Sequence, residues 1–195
     1  MAWAPDYLSA QVLADYLRSE ASVDADLTFL EMWVSTASRN VDSFCGRQFG
    51  QTALEERFYT PVWDRNEGYW FAEIDDVQDL TGLVLADDDG TVVDADGYRL
   101  LPRNAAVKGR PYERVRLASR ACDLSVKARF GWNTVPDAAP MGMLLQAARL
   151  AKRRESPFGV AGSPSDGGAE IRLLAQLDAD FKTSLRPLQR KWWAA

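Results

Sequence analysis

Leu27, Leu30, Val34, Ala37, Val41 and Phe44 recur at alternating three- and four-residue steps. That spacing closes a single apolar stripe along an α-helix of roughly five turns. Trp33 widens the stripe, Asp24 is placed to cap it, and Asp26 and Glu31 sit toward its positive end. Gly46 supplies the left-handed position that ends it. A stripe this long and continuous needs other helices against it, so it sets the frame for the rest of the chain.

A shorter helix precedes it. Ser9 is a good cap for a helix over about Ala10–Arg18, Leu8 can staple onto Leu13, and Val12, Leu13, Tyr16 and Leu17 share a face. After Gly46 the apolar period falls from 3.6 toward two. Glu55–Thr60, Tyr69–Ile74, Leu83–Ala86, Tyr98–Leu101, Arg114–Ala118 and Leu124–Phe130 read as strands. Turn signals separate them: Asn66-Glu67-Gly68, Asp87-Asp88-Asp89-Gly90, Asp96-Gly97 and Lys108-Gly109-Arg110-Pro111. No helical period lies between the strands, which predicts antiparallel pairing rather than βαβ units.

Helical spacing resumes near Asp137, with Met141, Leu144, Leu145, Ala148 and Ala151 on one face and Lys152-Arg153-Arg154 at the negative end. The Pro-, Gly- and Ser-rich stretch 156–168 reads as a mobile loop. A last helix is expected over about Glu170–Leu185, with Ile171, Leu174, Leu177, Phe181 and Leu185 on its face. The expected fold class is therefore α+β. It is a small bundle of about four helices with an antiparallel β-insertion between the second and third. Residues 1–54 give the N-terminal helices, 55–135 the β-rich insertion and 136–195 the C-terminal helices and tail, within one domain overall.

Composition narrows the function classes. No stretch approaches the ~20 apolar residues of a membrane span, so no membrane partner is expected. The start, Met1-Ala2-Trp3-Ala4-Pro5-Asp6, has neither the basic region nor the apolar core of a signal peptide, which predicts a cytoplasmic site of synthesis and use. Residues 1–137 carry 14 Lys+Arg against 23 Asp+Glu, and residues 138–195 carry 9 against 5, so an acidic body (−9) precedes a basic end (+4). Such a balance is poorly suited to wrapping a nucleic acid and suits a tail that meets an acidic partner surface.

With no histidine in the chain, Ser-His-Asp and Cys-His catalysis are excluded. No phosphate-binding loop, dinucleotide-binding glycine pattern or nucleophile elbow is present. Neither a cofactor nor a metal is expected. Cys45 and Cys122 lack metal-ligand spacing and read as reduced small hydrophobes, with a disulfide or reactive thiol as the alternative. Aligning Gly90 as the sixth residue of a calcium loop puts Leu85 first and Asp96 twelfth, so the acidic run reads as a hairpin turn. Glu73 and Asp75 fall on one strand face and are the carboxylates a hydrolase reading would use; solvated edge charges explain them equally. Phe130-Gly131-Trp132 fits either a base-stacking platform or an aromatic closing the β-core. Trp192-Trp193, flanked by Arg190 and Lys191, either fold back onto the domain or anchor in a partner's groove.

Four motifs occur in order. They are Ala37-Ser38-Arg39-Asn40-Val41-Asp42-Ser43-Phe44-Cys45-Gly46-Arg47-Gln48-Phe49; Val126 through Gly131-Trp132-Asn133-Thr134-Val135-Pro136; Lys152-Arg153-Arg154-Glu155-Ser156-Pro157-Phe158-Gly159; and Leu177-Asp178-Ala179-Asp180 with Leu185-Arg186-Pro187. The chain resembles, over roughly residues 7–190, the head-tail connector (adaptor) proteins of long-tailed bacteriophages. The resemblance implies a non-enzymatic virion protein at the head-tail interface, assembled in the host cytoplasm. It implies a ring, typically of twelve copies, beneath the portal protein and above a stopper or tail-completion protein. Genome DNA would pass through the lumen without specific binding. The C-terminal segment is then the expected portal-docking element, through Phe181, Leu185, Pro187, Leu188, Arg190, Lys191, Trp192 and Trp193. A different phage neck protein, a stopper or tail terminator, is the alternative.

Overall fold

The structure, a computed structural model, describes residues 4–20, 27–155, 160–161, 171–172 and 177–190. The Asp24 cap, most of the loop 156–168, and Lys191, Trp192 and Trp193 lie outside the described residues. The chain divides into two compact units. One is built on Gln48–Val135, the other on Asp6–Arg47 with Pro136–Arg190.

The second unit is helical: α1 (Ala10–Glu20), α2 (Leu27–Cys45), α3 (Ala138–Glu155) and α4 (Ala179–Leu185), the last running into a 3-10 turn, Arg186–Leu188. The two-residue strands β8 (Val160–Ala161) and β9 (Ile171–Arg172) pair with each other; their numbering follows the seven strands of the other unit. Ser9 caps α1, its Oγ accepting from the Val12 N–H at 3.4 Å, and Leu13, Ala14 and Leu17 are buried while Val12 faces solvent. The α2 stripe holds through its middle, where Leu30, Val34, Ala37, Val41 and Cys45 are buried. It loosens at its ends, where Leu27 is 60% exposed and Phe44 is half-buried. Gly46, at φ 63°, lets the Arg47 N–H turn back to the Asp42 carbonyl at 3.2 Å and satisfies an otherwise orphaned acceptor.

The buried face of α3 matches the expected one only at Ala148 and Ala151. Ala139, Met143, Gln146, Ala147, Ala148 and Ala151 turn inward, Leu144 and Leu145 are half-buried, and Met141 is 56% exposed. Small residues allow close helix approach here. A Cβ on Gly142 would sit 3.1 Å from Leu185 Cδ1.

The first unit contains β1 (Gln51–Tyr59), β2 (Val62–Asp64), β3 (Tyr69–Val77), β4 (Asp79–Ala86), β5 (Tyr98–Leu101), β6 (Tyr112–Leu117) and β7 (Leu124–Gly131). They form one seven-stranded sheet in the order β1-β7-β3-β6-β5, with β2 added to β3 and β4 to β7. The pairs are antiparallel except for the parallel bridge Val77↔Gly131, which joins a β4-β7-β1 half to a β2-β3-β6-β5 half. Inward residues of both halves make one apolar cluster of Ala72, Ile74, Val77, Leu85, Val115, Leu117, Leu124, Val126, Ala128 and Phe130.

The expected fold class is corrected by this sheet. The chain is not a small helical bundle carrying an antiparallel insertion. A mixed seven-stranded sheet with its own core occupies the middle of the sequence, accompanied by four helices. The physical reason is that helix stripes are visible locally, whereas a sheet core is assembled from two or three inward residues on each of many strands. β2, only three residues after Pro61, carries too short an alternation to be read.

Candidate functional site

The expected docking segment is anchored to its own helices. Asp178 caps α4, its carboxylate accepting from the Asp180 and Phe181 N–H groups at 2.8 and 3.2 Å. That capping starts the helix at Ala179, nine residues later than the periodicity of 170–185 predicts. Phe181 and Leu185, four residues apart on one face, are both fully buried, and Phe181 packs on Phe44 with centroids 5.4 Å apart. Beyond them, the Arg190 N–H donates to the Cys45 carbonyl at 2.7 Å and the Gln189 side-chain amide to the Phe44 carbonyl at 3.1 Å. The last described residues are thus held at the C-terminal end of α2. Pro187 is exposed, and Leu188 and Arg190 are half-buried. Phe181 and Leu185 are already covered within the chain.

The first motif runs along the same helix to Cys45 and continues past it to Phe49. Ala37, Ser38, Val41, Asp42, Cys45 and Phe49 are all buried. Ser38 Oγ donates to the Val34 carbonyl at 2.8 Å and accepts from the Tyr7 N–H at 3.2 Å, while the Tyr7 hydroxyl donates to Asp42. Arg39 pairs with Asp42 at 3.0 Å. Burial nonetheless holds the Asp42 carboxyl above its ordinary range, against the lowering effects of Tyr7 and Arg39 and with Asp6 adding to the rise. Burial also pushes the Cys45 thiol up to about 12, whereas Cys122 is exposed; both are free. No group of three metal-ligating side chains occurs among the described residues.

In the sheet unit the two aromatic-glycine residues resolve toward the core. Phe130 is fully buried and Trp132 nearly so, the indole N–H donating to Asp76 at 2.8 Å and the ring packing on Phe49. Neither ring is open for base stacking. Gly131, at φ 112°, lies where a Cβ would fall 1.8 Å from the Gly50 carbonyl oxygen.

The candidate carboxylates are committed to arginines. Asp75 accepts from Arg57 at 2.6 Å and from the Tyr59 hydroxyl at 2.9 Å, and Glu73 pairs with Arg114 at 2.8 Å. Burial acts to lower the Arg57 pKa, and its hydrogen bonds to Asp75 and Glu55 overcome this and hold it above its ordinary value. Burial, then the Asp75 charge, keeps Tyr59 protonated. The acidic turn is likewise used for backbone satisfaction. Asp87 Oδ1 accepts from the Asp89 and Thr91 N–H groups, and Asp88 from those of Cys122 and Asp123. Those backbone donors hold the exposed Asp88 below the usual carboxylate range.

One surface escaped the sequence reading because charge was summed over long halves. Residues 98–121, spanning β5, the 3-10 turn Ala106–Lys108 and β6, carry seven basic residues (Arg99, Arg103, Lys108, Arg110, Arg114, Arg116 and Arg120) against Glu113 alone, a net of +6. The remainder of Gln48–Val135 carries 4 basic and 14 acidic residues, a net of −10. A sliding charge sum over about one hairpin length would have found it.

Comparison with known proteins adds little. No family model matches the chain, and no curated protein matches it. Two solved structures are similar along its whole length. One is a chain of the virion of a native gene transfer agent particle (18% identity, TM-score 0.46, 95% of that chain). The other belongs to the neck of an empty gene transfer agent particle computed with C6 symmetry (19% identity, TM-score 0.48, 95% of that chain). Overlap of that extent at that identity assigns neither a fold nor a role.

Proposed function

We propose that this chain is a structural, non-catalytic subunit of a phage-type head-tail connector ring. In this reading it binds beneath a portal protein, offers its far face to a stopper or tail-completion protein, and leaves a channel for DNA. The observation that carries the reading is the order of the four motifs along residues 7–190. Their residues sit at positions that a fold cannot easily vary: the buried α2 face, the Gly46 turn, the Gly131 close approach and the Asp178 cap. The absence of histidine and the pairing of Glu73 and Asp75 with arginines support a non-catalytic role.

Docking falls to the end of the chain. Phe181 and Leu185 are spent on the helical unit, so the portal-facing residues are Pro187, Leu188 and Arg190 with Lys191, Trp192 and Trp193 beyond them. Tryptophan and arginine are the residue types that most often dominate such contacts. Removing 191–195 is expected to leave the fold intact and to lower portal affinity at least tenfold in a pull-down or calorimetric titration. Unchanged affinity would move the docking surface elsewhere. The size of the sheet favours a second reading, a stopper or tail terminator. Binding to a tail-completion protein without any binding to portal would select it.

A further inference from the structure

The net +6 of residues 98–121 stands on a unit that is otherwise strongly acidic, and its geometry is costly in isolation. In the β5–β6 register Arg99 lies directly opposite Arg116, both exposed. Like charges at that position repel, and no described carboxylate is bonded to either of them. β3 holds the arginines in place from the side. The Arg116 guanidinium lies 4.3 Å from the Tyr69 ring centroid, Arg114 lies 5.1 Å from that of Phe71, and Arg120 lies 5.7 Å from that of Trp70. Arg116 and Arg120 thus rest against aromatic rings with their charge available to a partner oxygen, whereas Arg114 is paired with Glu73. Arg99 and Arg103 also line an open depression of about 300 Å³ with Tyr98, Leu100 and Tyr112. Among the described strands β5 pairs with β6 alone, so the row lies along a sheet edge.

We infer that the β5–β6 hairpin is a docking surface for the phosphate backbone of duplex DNA. A protein partner fits it less well, because protein interfaces place an apolar centre inside a polar rim. Here the apolar neighbours of Arg99 and Arg116 on that face, Leu101, Tyr69 and Phe71, are half-buried, Tyr69 and Phe71 lie against arginines, and the exposed Val107 is at the hairpin tip. Phosphate oxygens carry no sequence information, so a contact to the backbone is sequence-independent. The acidic remainder repels DNA elsewhere on the unit, so the hairpin sets one contact line. The inference rests on the connector reading for the presence of DNA, and on the hairpin itself for where DNA touches.

The test is fluorescence anisotropy of the full chain with a labelled duplex of about 30 base pairs, titrated with salt. About four phosphate contacts give a slope of about −4 in log affinity against log salt, a loss of roughly a hundredfold between 50 and 200 mM. Two unrelated sequences should bind alike. The Arg99→Ser/Arg116→Ser variant should reduce the slope by about 2, while Lys127→Ser, outside the hairpin, leaves it unchanged. Absence of salt-dependent binding, or equal binding by the double variant, overturns the inference. Loss of self-association in that variant, with DNA binding kept, assigns the hairpin to a second copy and also overturns it. Portal-ring formation by the unaltered chain is scored separately, so failure of the connector reading is distinguishable from failure of this one.

Discussion

At the scale of single residues, the positions that carry the motifs are those where the backbone or a buried charge leaves little freedom. Gly131 is the sharpest case. Its φ of 112° and the 1.8 Å approach of the Gly50 oxygen to a would-be Cβ leave no room for any side chain. Gly131→Ala is expected to cost about 3 kcal/mol or more, read as a lowered urea midpoint. Asp42 gives a second test with a defined sign. Burial raises its folded pKa above the ordinary 3.8, so its contribution to stability is fully present below that value and is lost as pH rises through the folded pKa. Asp42→Asn keeps an acceptor for Tyr7 and does not titrate. The stability of the Asn variant relative to the parent should therefore increase between about pH 3.5 and pH 7 in urea titrations. A pH-independent difference would remove the buried charge from the account.

Among the elements, α4 depends most on its neighbours. Seven residues are too few to hold a helix in water, so its stability comes from the Asp178 cap and from burial of Phe181 and Leu185. Phe181→Ala should cost about 3–5 kcal/mol and expose amides of residues 177–190 to hydrogen exchange ahead of those in the sheet. Equal protection of residues 177–190 in the parent and in Phe181→Ala would show that α4 is held by something other than that packing. Legibility also varied by element. The middle of α2 and the bounds of β5 could be read directly, because a 19-residue stripe and a turn-bounded Tyr98–Leu101 segment are local signals. The start of α4 was misplaced because apolar spacing continued upstream of Asp178, whose capping chemistry decides the boundary. The α3 face was read correctly at Ala148 and Ala151 but misjudged nearer its start, because leucines outrank alanines in hydrophobicity, while Ala139, Met143 and Ala147 are the residues buried there.

For the whole molecule, the pattern of helices flanking strands was readable but the weight of the sheet was not. Its closure depends on pairings such as Val77↔Gly131 and Glu55↔Ala128, which join residues more than fifty apart in sequence and leave no local periodicity. The candidate site divided in the same way. Phe181 and Leu185 were expected at a partner surface, and their burial became visible only through Phe44 and Gly142, while Lys191, Trp192 and Trp193 lie outside the described residues. The central claim, a ring subunit that docks on a portal, is tested most directly by electron microscopy of the full chain mixed with portal protein. The account predicts closed rings coaxial with the portal, lost when residues 191–195 are removed. Portal particles bare of added density, with the chain remaining free in solution, would contradict it.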